Sequence, residues 1–177
     1  MSQEIKEKIR TVADWPKKGV MFRDITTLIK EPVGFKLCLD DFIDRYYGQE
    51  VDVIVGIDSR GFILGGALAY ALGKGFVPVR KKGKLPAATE SETYDLEYGT
   101  DTIEIHQDAI TPGQKVVIID DLIATGGTAL AASKLVKKLG GEIVELAAIV
   151  DLPDLGGRKK LEAAGLKIYA QTEFQGE

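Results

Sequence analysis

Apolar and polar positions fall in blocks along this chain, and their spacing switches repeatedly between the helical and the extended period. Ile5, Ile9 and Val12 stand at helical spacing and predict a short amphipathic helix ending before Trp15-Pro16. Lys18 to Thr27 follows neither period and reads as an irregular segment. Phe35, Cys38, Leu39, Phe42 and Tyr46 mark one face of a second helix. Val51 to Ile57 predicts a strand, Gly61 to Leu72 a tightly packed helix ended by Gly73 and Gly75, and Phe76 to Arg80 another strand. Leu85 to Thr102 has little apolar periodicity, so a long loop flanked by a hairpin is expected there. Ile103 to His106 reads as a short strand and Pro112-Gly113 as a turn.

The β-branched run Val116-Val117-Ile118-Ile119 predicts a buried strand of a parallel sheet. A helix follows from near Ala129, carried by Leu130, Leu135, Val136 and Leu139 and stopped by Gly140-Gly141. Ile143 to Val150 is a further strand, Lys159 to Ala164 a short helix, and Leu166 to Ala170 a last strand. Strand–helix units of this length predict an α/β fold with a mainly parallel, twisted sheet flanked by helices.

Composition narrows the class. The 177 residues suit one domain spanning 1–177, and 45% hydrophobic with 28% charged residues is the balance of a folded, soluble protein. A formal net charge of −4 argues against nucleic acid as a partner. Ser2 to Arg10 has no apolar signal core, and no apolar run approaches a membrane span, so no membrane partner is expected. The lone Cys38 excludes an internal disulfide and fits a reducing cytoplasm.

The strongest chemistry follows the Val116–Ile119 strand. Asp120 and Asp121 stand at its carboxyl end, where open α/β sheets bind ligands, and Ala124-Thr125-Gly126-Gly127-Thr128 then opens a helix. Within a strand the two acids would point to opposite faces; at a strand-to-loop transition both can turn toward a ligand. Such a loop can wrap free N–H groups around a phosphate. Acids that grasp hydroxyls, followed by a phosphate cradle, point to a ribose phosphate; the plainer alternative is an exposed turn with an Asp helix cap. The loop lacks the Gly-Lys-Ser/Thr ending of a P-loop, and its acids precede its glycines, unlike a dinucleotide fingerprint. His106, the single histidine, is expected to be structural or exposed.

The run Val116 to Thr128 resembles the phosphoribosyl pyrophosphate (PRPP) signature of type I phosphoribosyltransferases. The resemblance covers nearly the whole chain and narrows to the adenine phosphoribosyltransferases through Gly19 to Ile25, Asp58 to Phe62, Arg80 to Pro86 and Leu96 to Gly99. It implies a small N-terminal base-binding hood at 1–34 and a mobile lid loop at 82–102. It implies that Asp120 and Asp121 contact the ribose and are linked to Mg2+, which bridges pyrophosphate and sugar oxygens without a dedicated protein cluster. Ala124, Thr125, Gly126, Gly127 and Thr128 would hold the 5′-phosphate.

Ser59 and Arg60 lie between a strand and a helix, where backbone N–H groups and a guanidinium could hold pyrophosphate; without the resemblance, Arg60 could equally serve a surface ion pair. Arg80, Lys81, Lys82 and Lys84 form either a solvated basic loop or an anion site. The resemblance favours pyrophosphate binding, with most weight on Arg80 and with Lys81 and Lys84 beside it, in part across a dimer interface. Phe22 could stack on a purine or anchor the core; the resemblance makes Met21, Phe22 and Arg23 the adenine pocket, with backbone around Met21 and Arg23 reading the base. Lys18 stands where the family often has a proline, which alters the approach to that pocket.

Ala124 occupies the position where hypoxanthine and guanine transferases usually carry an aspartate for the purine ring proton. Glu97 is then the candidate catalytic acid–base group, with a solvated lid glutamate as the plainer reading. The expected reaction is phosphoribosyl transfer from PRPP to adenine, giving AMP and pyrophosphate, by a cytoplasmic homodimer in purine salvage. The alternatives are another base (xanthine, hypoxanthine, guanine or orotate) or a non-catalytic PRPP-sensing regulator.

Overall fold

The computed structural model describes residues 2–95 and 99–176. The chain opens with a short helix, α1 (Ser2–Glu7), and an antiparallel ribbon of β1 (Arg10–Ala13) and β2 (Met21–Asp24). Then come α2 (Thr26–Ile29), α3 (Pro32–Tyr46), β3 (Val53–Ile57), α4 (Arg60–Leu72), β4 (Gly75–Lys81), β5 (Thr89–Asp95) and β6 (Thr100–His106). The second half contains β7 (Lys115–Ile123), α5 (Gly127–Lys138), β8 (Glu142–Asp151), a 3-10 turn (Pro153–Leu155), α6 (Gly157–Ala163) and β9 (Ile168–Glu173).

Seven strands form one sheet in the order β5-β6-β4-β3-β7-β8-β9. Strands β4, β3, β7, β8 and β9 are parallel, and the β5–β6 hairpin adds antiparallel to the edge of β4. Alternation along β3 and β7 decides which layer each side chain joins. Ile54, Val117 and Ile119 face α1, α3 and α4, packing with Ile5, Phe42 and Leu64. Val53, Val55, Val116 and Ile118 face the other way, against Leu135, Val136 and Leu161 of α5 and α6. Both faces are covered, which is why these strands read as unbroken apolar runs. No helix among the described residues is long and apolar enough to cross a membrane.

Three expectations are corrected. The first helix stops at Glu7, and Val12 lies on β1 opposite Phe22. Thr11 and Val12 are β-branched and find ladder partners in β2, which outweighs their helical spacing to Ile9. The segment read as irregular holds β2 and α2, each only four residues long and thus too short to show a period.

The third correction concerns the expected long loop, most of which is the β5–β6 hairpin. Its inward positions, Glu90, Glu92 and Tyr94, do alternate, but they are polar and face α5 through Lys138, Lys134 and Gly127. A strand whose inward positions hold ion pairs carries no apolar period for a sequence reading to find.

Candidate active site

The carboxyl ends of β3, β4, β7 and β8 open toward the β1–β2 ribbon, and the candidate residues gather there. Strand β7 runs on to Ile123, so the strand alternation holds and the two acids divide. Asp121 is 5% exposed on the α4 side, where Arg60 Nε donates to its Oδ2 at 2.5 Å. Asp120 turns toward the loop and accepts from the Asp121 backbone N–H at 2.9 Å. Burial and the adjoining Asp121 charge push the Asp120 carboxyl well above the usual carboxylate range. Burial lowers the Arg60 guanidinium, but Asp121, Asp120 and Asp24 outweigh it and hold it firmly charged. Gly61 permits this closeness: a Cβ there would lie 2.7 Å from Ile119 O and 3.3 Å from the Asp120 Cα.

The loop after β7 encloses a cavity of about 90 Å3 lined by Asp120, Leu122 and the run from Ile123 to Ala129. Gly126 adopts φ +74, which glycine accepts without strain, and turns the chain into α5. Among the described residues no side-chain cap bond is made at the start of α5, which suits its N–H groups to an anion, with the helix dipole behind them. The expected helix start near Ala129 moves to Gly127, because backbone geometry rather than an apolar residue begins the turn.

Ser59 precedes α4 and Arg60 is its first residue; the Asp58–Ser59 peptide is cis. Arg80, near the end of β4, donates through Nε to Asp58 Oδ2 at 3.0 Å and through Nη1 to the Lys84 carbonyl at 3.3 Å. Lys81 points instead to Asp101 of the hairpin, at 3.1 Å, and Lys84 is exposed. The structure therefore brings Ser59, Arg60, Arg80, Asp120, Asp121 and the loop together, while Lys81 is engaged elsewhere.

On the hood, Met21 lines a second cavity of about 380 Å3 with Gly19, Val20, Thr125, Leu152 and Leu155. Phe22 packs edge-on to Trp15 at 4.4 Å between ring centroids, and the Arg60 guanidinium lies 5.9 Å from its ring. Arg23 is 8% exposed; it donates to Thr11 Oγ1 at 2.6 Å and to the Gln175 carbonyl at 3.2 Å, and lies over the Phe174 ring. Its side chain thus braces the hood, while its main chain stands opposite Thr11 in the β1–β2 ladder. Glu97 lies outside the described residues. Tyr94 lies against Gly127, joining the hairpin to the start of α5.

Sequence reasoning missed Asp58, Leu152, Leu155 and Gly157. Leu152 and Leu155 flank a proline in a segment without periodicity. Gly157 begins α6 and donates its N–H to the Ala124 carbonyl at 3.1 Å; the Gly156-Gly157 pair just before a helix was the available signal. His106 is only partly exposed, and its Nε2 has no partner among the described residues.

Comparison with known proteins gives the family. The Phosphoribosyl transferase domain family matches residues 39–171. An adenine phosphoribosyltransferase from Chlorobaculum tepidum is 63% identical over 175 residues, covering 98% of this chain and 99% of that protein. The crystal structure of adenine phosphoribosyltransferase from Thermoanaerobacter pseudethanolicus superimposes with a TM-score of 0.93 at 48% identity, over 98% of this chain and all of that one. That of adenine phosphoribosyl transferase from Trypanosoma brucei, in complex with AMP, pyrophosphate and ribose-5-phosphate, reaches a TM-score of 0.89 at 29% identity, over 97% of this chain and 79% of that one. With a mainly parallel sheet that carries an acid pair and a Gly-Gly loop at its carboxyl edge, the chain belongs to the phosphoribosyltransferase family, among the adenine phosphoribosyltransferases.

Proposed function

We propose that this protein transfers the 5-phosphoribosyl group of PRPP to adenine, releasing AMP and pyrophosphate. One observation carries the reading: Thr125 lines both the cradle after β7 and the hood cavity. A ligand with a phosphate in the first and a planar base in the second would have its sugar beside Asp120. The hood cavity mixes lysine stems with Val20, Met21, Leu152 and Leu155, a lining suited to a flat, largely apolar heterocycle.

In this mechanism the C1–O bond to pyrophosphate breaks as N9 of adenine attacks C1, and the electron pair leaves with pyrophosphate. Positive charge develops on the sugar ring, beside Asp120. Arg60 and Arg80 meet the leaving group: each is anchored through Nε by a carboxylate, which orients the rest of the guanidinium as a fork for phosphate oxygens. Asp121 is a positioning residue that aims Arg60, and Ser59 offers its backbone N–H next to it. Lys84, exposed and bonded through its carbonyl to Arg80, strengthens the positive field. Magnesium, when bound, neutralises pyrophosphate and sugar oxygens as a Lewis acid. The site suits a cation held through the substrate: Asp120 presents only oxygen beside the sugar, and a hard cation nearby would offset the burial and the Asp121 repulsion that raise it.

Glu97 takes the proton displaced from the imidazole ring of adenine. Glu97→Gln is expected to lower turnover about 10²-fold with adenine affinity kept; wild-type turnover in that variant would reduce Glu97 to a lid residue.

A second copy of the chain supplies the remaining cover. The outer face of α4 exposes Ile63 (45%) and Tyr70 (90%) next to the Arg80 region, and it is the surface we assign to a homodimer. Light scattering on the purified protein checks this. The buried, unpaired Cys38 accords with residence in the reducing cytoplasm. The transfer itself is tested by mixing protein, PRPP, magnesium and adenine and following AMP and pyrophosphate together.

A further inference from the structure

We propose that the buried Asp151 and the half-buried Arg158 form a brace that sets the phosphate cradle and the base cavity at a fixed spacing. Both are positioning residues, and the proposal rests on the Ala124–Thr128 loop being a phosphate site. Asp151 is the last residue of β8, is 0% exposed, and stands opposite Ile123, the residue just before the loop. Its Oδ2 accepts from Arg158 Nε at 2.5 Å, while its Oδ1 has no partner among the described residues. Arg158 also donates through Nη1 to the Ile168 carbonyl at 3.4 Å and lies 3.7 Å from Glu162. The brace therefore ties the end of one strand to the first turn of α6 and, more weakly, to the start of β9.

What lies between the two residues gives the pair its role. From Asp151 the chain passes Leu152 and Leu155, which line the base cavity, and returns at Gly157 beneath the phosphate loop. The Leu152 N–H donates to the Ile123 carbonyl at 3.0 Å, and the Gly157 N–H donates to the Ala124 carbonyl at 3.1 Å. Gly126 and Gly157 face each other: a Cβ on Gly157 would fall 2.1 Å from Ala124 O, and one on Gly126 would fall 3.0 Å from Gly157 O. No slack exists at this contact, so the position of α6 sets the position of the loop. A buried ion pair is a weak source of stability, because desolvation offsets its attraction. Its value here is geometric: it closes the 151–158 excursion so that one rigid piece lines one cavity and holds, through Gly157, the loop that lines the other.

Two variants test this. Arg158→Gln leaves the Asp151 charge buried and unpaired, which endangers folding. Asp151→Leu with Arg158→Leu removes both charges and leaves an apolar replacement that folded proteins commonly tolerate. Calorimetric titration of each folded variant uses AMP, ribose 5-phosphate and pyrophosphate as probes. The expected result is a rise of about 10- to 100-fold in the AMP dissociation constant, the scale of an ångström-level misplacement. Ribose 5-phosphate should weaken less than AMP, because it engages only the cradle, and pyrophosphate should stay within twofold, because its site at Ser59, Arg60 and Arg80 does not touch the brace. AMP affinity within twofold in the folded double variant overturns the proposal, as does equal weakening of all three probes. If the unmodified protein binds ribose 5-phosphate but makes no AMP from PRPP and adenine, the transferase reading falls while the brace is still judged by ribose 5-phosphate. If it binds no ribose 5-phosphate, the brace has nothing to position and falls as well.

Discussion

The two halves of the site are built by different means. The phosphate side is one contiguous piece, β7 with its loop and the start of α5, in which strand alternation, two glycines and a helix terminus do the work. The hood side is assembled from distant parts. Phe22 leans on Trp15 and faces Arg60, while Arg23 holds Thr11 close in sequence and Gln175 at its far end. A phosphate looks the same in every nucleotide, and backbone N–H groups recognise it whatever the side chains are. A base differs from its relatives by a few polar atoms, so its pocket depends on shape, and shape is a tertiary property.

The largest expected effect breaks the phosphate side. Asp120→Asn with Asp121→Asn should lower kcat/KM for PRPP by about 10²–10³-fold, the scale of losing a charged contact to a transition state. Folding should suffer far less, since the change also relieves a repelling acid pair. Unchanged steady-state kinetics would remove the ribose assignment. On the hood side, Phe22→Ala should raise the KM for adenine about 10-fold, the scale of losing one stacking partner, with the KM for PRPP within twofold. Equal loss for both substrates would mean that the two halves are not separable in function.

Gly61→Ala tests the packing that both halves share. Its Cβ would meet Ile119 O at 2.7 Å, so urea denaturation should report a loss of about 1–3 kcal/mol, as for other overpacked sites. The smallest effect is in the pH dependence, where the two sides have opposite signs. Asp24 of the hood is held at about 2: burial works against the charged form, but hydrogen bonds from Thr26 and Arg10 prevail over it. Its contribution is present above the unfolded value of 3.8 and is lost as pH falls toward 2. Asp120 is raised instead, so its contribution is full at low pH and fades as pH rises above 3.8 toward its folded value. Thermal midpoints followed from pH 2 to pH 7 should therefore lose their acid-side slope in Asp24→Asn and their rise on mild acidification in Asp120→Asn.

The same contrast explains what could be read before the structure. The sheet, its flanking helices and the phosphate loop follow from local rules, because apolar runs such as Val116 to Ile119 bury both faces and Gly126-Gly127 marks a turn into a helix. The hood was misread, since β1, β2 and α2 are too short for any period and Val12 follows its ladder partner Phe22 instead of its helical neighbours. The β5–β6 hairpin stayed hidden because Glu90 and Glu92 alternate as ion-pair partners of Lys138 and Lys134. Strand continuation past Asp121 could not be anticipated either, and it is what turns the two acids to different sides. Leu152, Leu155 and Gly157 join the site only through the return of the chain after β8, a fact of topology.

The central claim is that one face of this molecule joins a phosphate cradle to an adenine pocket across Thr125. One assay reaches it most directly: purified protein, PRPP and magnesium offered adenine, hypoxanthine, guanine, xanthine and orotate in parallel, with nucleotide and pyrophosphate measured together. The account predicts AMP and pyrophosphate in equal amounts from adenine, with little or no nucleotide from the other bases. Efficient transfer to a 6-oxopurine or to orotate, or PRPP binding without transfer to any base, would contradict it.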